Sequence, residues 1–145
     1  MIAAAIATSF IITLSLVNSR YLGYALDHSE SMTASFLLEE SVEAVRWMRD
    51  ESWTSNIETL VSGNDYYLYW DGSSWQGTTT ITLSNGNMYR QIMLENVYRD
   101  ASQSIASSGT LDPDTKFITA TVSWASKTGT STKILKSYIT NVFDN

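Results

Sequence analysis

Three sets of side chains in this chain have types and spacings that could do chemistry. In "LDPDTK", Asp112, Asp114 and Thr115 place oxygen ligands close together, as a calcium site would need. The spacing lacks the ligand count of a defined calcium loop, and the same run reads as a turn around Pro113. Glu39, Glu40 and Glu43 put carboxylates at helical spacing, yet no Glu-x-x-His accompanies them as a di-metal site would require. They read more simply as a solvated charged face. His28, between Asp27 and Ser29, is the single histidine, and there is no cysteine. It is either a solvated helix residue or a pH-sensitive contact. Catalytic triads, Cys/His sets, thiolate metal sites and disulfides are therefore out of reach, and no G-x-S-x-G motif is present. No enzyme, no cofactor and no catalytic residue is expected; Asp112 and Asp114 stand as weak calcium candidates.

Aromatic rings form the next set. Tyr66, Tyr67, Tyr69, Trp70 and Trp75 put rings on both faces of a hairpin. Sheet packing accounts for one face, and the other can stack on a sugar or on a neighbouring subunit. Phe36 and Trp47 fall on the charged side of a helix, where either a loop of the same domain or an adjacent subunit would cover them. Phe36, Trp47, Tyr67, Tyr69 and Trp75 are the candidate subunit or ligand contacts.

These residues need a scaffold. A chain of 145 residues, 43% hydrophobic and 17% charged, can bury one real core. The net charge of −6 and nine scattered Lys and Arg residues argue against non-specific nucleic acid binding, which needs clustered cations. The stretch "MIAAAIATSFIITLSLVNSRYLG" has no charged residue before Arg20. About seventeen helical residues span roughly 25 Å, slightly short of a hydrocarbon core of about 30 Å. A signal peptide would show a basic start and an A-x-A-like site, and neither is found at a workable position. A membrane helix fits better than a signal peptide or a buried core helix, with Tyr21 and Tyr24 at the interface. Ala3, Ala4, Ala5, Ala7, Phe10, Ile11, Leu14 and Leu16 are its candidate membrane and assembly residues.

The helical pattern continues beyond that stretch. Between Tyr21 and Trp53 there is no proline and one glycine, Gly23. In "ASFLLEESVEAVRWMRDESW", Ala34, Leu37, Leu38, Ser41, Val42, Ala44, Val45 and Met48 share one arc. Glu39, Glu40, Glu43, Arg46 and Asp50 share the other. One helix from about Ile2 to about Glu51 is expected, apolar first and amphipathic after. A helical turn before Gly63, strands at Asp65–Trp70 and around Trp75, and a hairpin at Asn85-Gly86 follow. "SSGTLDPDT" reads as a loop, Lys116–Ala125 as a strand with Ile118, Ala120, Val122 and Trp124 on one face, and Thr132–Phe143 as the last strand. The fold class is α+β: a long N-terminal helix on an antiparallel sheet of hairpins. Residues 1–25 form the apolar half-helix, 26–53 the amphipathic spine, and 54–145 the sheet part of the same domain.

That plan resembles the type IV pilins and pseudopilins. "FLLEESVEAVRWMRDESW" is similar to the "YLAEEGIEAVRxIRDxNW" pattern of minor-pilin-like prepilins, and "YYLYWDGSSW", "ENVYRD" and "GTLDPDTKFITATVSW" resemble segments that recur in such proteins. "MIAAAIATSFIITL" resembles the continuation that follows the family's glutamate, as in "FTLxEVMIAAAIA", so the leader and first mature residues are expected upstream of Met1. The resemblance implies a structural subunit of a type IV pilus or related filament, single-pass in the cell membrane before assembly and extracellular afterwards. It implies other pilin-like subunits as partners through the N-terminal helix, an inner or cytoplasmic membrane, and a prepilin peptidase for the full-length precursor. The competing reading is a membrane-anchored extracellular binding module that uses the aromatic hairpin for a glycan or protein ligand.

Overall fold

The structure is a computed structural model that describes residues 2–127 and 129–143. Its first element, α1 (Ile2–Glu51), is 50 residues long and passes through Gly23 without a break, as the absence of proline allows. The chain divides into two compact units, Met1–Thr33 and Ala34–Asn145.

The first unit is helix alone. Its described apolar side chains are exposed, Phe10 and Leu14 among them, and α1 holds a stretch long and apolar enough to cross a membrane. Two of its hydroxyls turn inward on the backbone. Ser9 Oγ donates to the Ile6 carbonyl at 2.8 Å and Thr13 Oγ1 to the Ser9 carbonyl at 2.9 Å. Such bonds satisfy these two hydroxyl donors without water, which suits a lipid-facing helix.

The second unit carries the core. Ala34, Leu38, Ser41, Val42, Ala44, Val45 and Met48 are buried, while Glu39, Glu43, Arg46 and Asp50 are exposed. The arc read from helical spacing is the arc that packs. A π-helical turn, Trp53–Ile57, follows α1; Ser52 Oγ accepts the Ser55 N–H at 3.2 Å, and Trp53 and Ile57 go into the core. This is the helical turn expected before Gly63.

Seven strands make one antiparallel sheet: β1 (Asp65–Trp70), β2 (Trp75–Thr78), β3 (Leu83–Ser84), β4 (Met88–Arg99), β5 (Ile105–Ala106), β6 (Thr110–Ser126) and β7 (Gly129–Thr140). The order is β2-β1-β4-β6-β7, with β3 and β5 also pairing with β4. Asn85 and Gly86 both take positive φ, 48° and 83°, the backbone of the expected tight turn between β3 and β4. Ile92 and Leu94 of β4 and Ile118, Ala120 and Val122 of β6 meet the buried face of α1 in one cluster.

Two expectations need correction. The segment read as a loop ending at Thr115 instead starts β6 at Thr110. The β4–β6 register jumps from Asn96↔Lys116 to Val97↔Asp112, so Pro113, Asp114 and Thr115 have no β4 partner. A bulge tolerates proline because no ladder N–H is needed there. The last strand, expected at Thr132–Phe143, is Gly129–Thr140. Thr140 pairs with Thr115, and the strand ends where its neighbour bulges.

Candidate functional site

The hairpin of β1 and β2 is closed by Asp71-Gly72-Ser73-Ser74, in which one carboxylate organises the turn. Asp71 Oδ1 accepts the Ser73 N–H at 2.8 Å, the Ser74 N–H at 2.9 Å and the Ser73 hydroxyl at 2.9 Å. The Ser74 N–H, the Ser73 N–H and the Ser73 hydroxyl together hold the Asp71 carboxyl down to about 2, from an ordinary 3.8. Gly72, at φ 106°, supplies the left-handed residue this turn requires.

The turn sets Trp70 directly across from Trp75. Their rings meet edge to face at 5.8 Å, and Trp70 in turn meets Trp47 of α1 at 6.4 Å and 82°. Three indoles thus form a ladder running from partly buried Trp75 out to Trp70 and Trp47, which are 47% and 56% exposed.

A cation occupies the inner end. The Arg90 guanidinium of β4 lies 5.0 Å from the Trp75 ring centroid. Its Nη1 pairs with Glu40 at 2.6 Å and its Nη2 donates to the Leu68 carbonyl at 3.4 Å. The Arg90 side chain is only 6% exposed. Burial pulls its pKa below the usual arginine value, and the Glu40 charge and hydrogen bond oppose that shift. Glu40 was expected on a purely solvated face. It is half-exposed and ties α1 to the sheet instead.

The outer end is open. Trp47, Asp50, Glu51 and Ser73 wall a cleft of about 450 Å³. Asp50 is shared with Arg49 at 2.7 Å, and Glu51 accepts the Asn56 amide at 3.2 Å. The cleft therefore carries aromatic surface and two carboxylates.

The other sequence candidates are dispersed. Tyr67 is half-buried and paired with Gln91, Tyr69 is exposed, and Trp75 is covered in part by Arg90. Phe36 is 64% exposed, so no loop of its own unit covers it, and Trp47, 56% exposed, meets the Trp70 ring in a T-shaped contact. Trp70 was visible in the aromatic run, but its pairing with Trp47 depends on helix rotation and hairpin register together. His28 is exposed on α1. Ala3, Ala4, Ala7, Phe10, Ile11, Leu14 and Leu16 are exposed along the first unit; the Ala5 side chain lies outside the described residues.

Asp112 is already engaged. Its Oδ2 accepts Arg99 Nε at 2.6 Å, and its Oδ1 accepts the Asp114 N–H at 3.1 Å. Desolvation pulls the carboxyl upward, but hydrogen bonds from Thr115, Arg99 and the Asp114 N–H, with the Arg99 charge, hold it below the usual range. Asp114 is exposed beside it. Among the described residues, no group of three or more His, Cys, Asp or Glu side chains is placed to hold a metal. At the bulge, Arg99 bonds both Asp112 and Thr115, and the Asp114 N–H bonds Asp112.

Comparison with known protein families, with curated proteins and with solved structures gives no match.

Proposed function

We propose that this chain is a structural subunit of a type IV pilus or related filament, held in the membrane by its N-terminal helix before assembly and packed through that helix afterwards. The observation that carries this reading is α1 itself. One uninterrupted helix of 50 residues supplies first a largely apolar, uncharged segment and then the core face of an antiparallel α+β unit. A simple anchor needs no such continuity, and a flexible Gly, Ser or Pro stalk would serve it as well. Small residues at Ala3, Ala4 and Ala7 suit close helix–helix approach, where gains come from packing and not from a new hydrophobic force. No catalysis enters this reading.

The reading is tested with the tagged chain expressed in its own host. Sheared surface filaments are expected to contain the full chain and to lack a variant without residues 1–24. A full chain confined to the membrane, with filaments free of it, would sink the proposal. Half-exposed Trp47 and Trp70 favour a second reading, an anchored extracellular binding module. It requires ligand binding that survives loss of the apolar helix.

A further inference from the structure

Two turns of this sheet place a glycine directly after a residue whose side-chain carbonyl carbon lies one methylene from the backbone: Asp71-Gly72 and Asn85-Gly86. The sequence holds no other Asp-Gly or Asn-Gly pair. In such a pair the glycine nitrogen can attack that side-chain carbon and close a five-membered ring, because glycine has no Cβ to crowd the approach. The two turns hold their side chains differently. Asp71 is a carboxylate whose Oδ1 accepts the Ser73 and Ser74 N–H groups at 2.8 and 2.9 Å, so it is both fixed and a poor electrophile. Asn85 is an exposed neutral amide. Its main-chain carbonyl accepts the Asn87 N–H at 3.1 Å, and among the described residues no hydrogen bond engages its side chain. Gly86 is equally open, with no atom within 4 Å of where a Cβ would stand.

What restrains Asn85 is the turn itself. With φ 48° at Asn85 and 83° at Gly86, the left-handed backbone carries the Gly86 nitrogen away from the Asn85 side-chain carbon. The ring closes only when the hairpin tip opens. Little resists that opening: β3 is two residues long, joins β4 through Leu83↔Tyr89 and Ser84↔Met88, and leaves Leu83 58% exposed. Short, exposed pairings of this kind lie at the low-stability end of a fold and open far more often than its core does.

We propose that Asn85 is a site of spontaneous deamidation that irreversibly remodels the β3–β4 hairpin tip. The Gly86 nitrogen loses its proton and bonds to the Asn85 Cγ, the Cγ–Nδ2 bond breaks, and ammonia leaves with that proton. Water then opens the resulting succinimide at either carbonyl, giving aspartate or isoaspartate at position 85. Nothing is oxidised or reduced, and water is the one co-reactant. Either product adds one negative charge to a chain whose net charge is −6. Isoaspartate also carries the main chain through the side-chain carbon, one atom longer, which a tight two-residue turn of fixed register does not absorb. β3 then separates from β4. The site stands on the second unit alone and does not rest on the filament reading.

The test warms the full chain in detergent at mildly alkaline pH, digests it with trypsin, and reads the peptide of residues 50–90 by mass spectrometry with electron-transfer fragmentation. No Lys or Arg interrupts that peptide before Arg90, so it carries both glycine pairs together with Asn56, Asn64 and Asn87. Asn85 is expected to exchange its amide for a carboxyl roughly tenfold or more faster than Asn56, Asn64 and Asn87, each of which precedes a residue with a Cβ. Isoaspartate is expected at position 85 and not at position 71. The aged form, separated by anion exchange, is expected to lose hydrogen-exchange protection at β3 while the core of β4 and β6 keeps its own. Asn85→Gln, whose ring would need six members, is expected to stop the reaction at this position, and an unchanged melting temperature verifies that it folds. An Asn85 amide that persists in the folded chain, whether or not the isolated peptide loses its own, would overturn the site. Amide loss at Asn56, Asn64 or Asn87 at the same rate, or isoaspartate at position 71 equal to that at position 85, would overturn the assignment from geometry. Unchanged protection of β3 in the aged form would overturn the remodelling of the hairpin.

Discussion

The two parts of α1 share a backbone and differ in what surrounds them. Before Thr33 the large apolar side chains are exposed, and the Ser9 and Thr13 hydroxyls bond back to the helix. From Ala34 on, an apolar arc that includes Leu38, Val42, Val45 and Met48 is buried, while Glu39, Glu43 and Asp50 are exposed. The difference shows that packing against the sheet, and not helix formation, decides which apolar residues are buried. Leu14 and Val45 are both aliphatic residues of one helix, yet their exposures are 60% and 0%.

Putting the same charge at those two positions gives the largest contrast. Val45→Asp buries a carboxylate in the core and is expected to cost about 4 kcal/mol or more, enough to unfold a marginal domain. Leu14→Asp should leave the melting temperature of the sheet-bearing unit unchanged. Its effect appears in membrane insertion, at about 3 kcal/mol near the centre of a spanning helix. Thermal melts and membrane fractionation of both variants separate the two outcomes. Equal loss of stability would abolish the distinction between the two parts.

Within the second unit, the ion pairs offer a finer comparison. Glu40→Gln leaves the buried Arg90 guanidinium without its counter-charge and is expected to cost about 1–2 kcal/mol, discounted because Glu40 is half in water. Glu43→Gln removes the exposed pair with Arg46 and should cost less than about 0.5 kcal/mol. Urea denaturation resolves the two, and equal values would mean that Arg90 draws nothing from Glu40.

Much of this was legible from spacing. The helix length, the buried arc from Ala34 to Met48, the Asn85-Gly86 turn and the inward set Ile118, Ala120, Val122 and Trp124 follow from local periodicity, which the sheet then reinforces. The beginning of β6 was hidden because proline argues against a strand unless a bulge is known to be there. Glu40 was hidden because a helical wheel places charges outside and carries no information about Arg90, 50 residues away. The indole ladder needed helix rotation and hairpin register at once, and local sequence does not say how the helix and the hairpin are brought together.

The smallest expected effect is at the β1–β2 turn. Asp71 has its carboxyl lowered to about 2 by the serine hydrogen bonds. A depressed carboxyl contributes fully above its unfolded value near 3.8, and that contribution fades as pH falls toward about 2. The Ser73 and Ser74 amide resonances should therefore titrate with a midpoint near 2, and should lose that step in Asp71→Asn. A midpoint near 3.8 would mean that the turn hydrogen bonds do not favour the charged form.

Deleting residues 1–24 tests the central claim most directly. The buried core begins at Ala34, and the described apolar side chains before it are exposed. The truncated chain is expected to be soluble and monomeric by size exclusion, to retain its β-signal by circular dichroism, and to melt within a few degrees of the full chain in detergent. Aggregation, or loss of the β-signal, would show that the apolar segment belongs to the fold and would contradict the account.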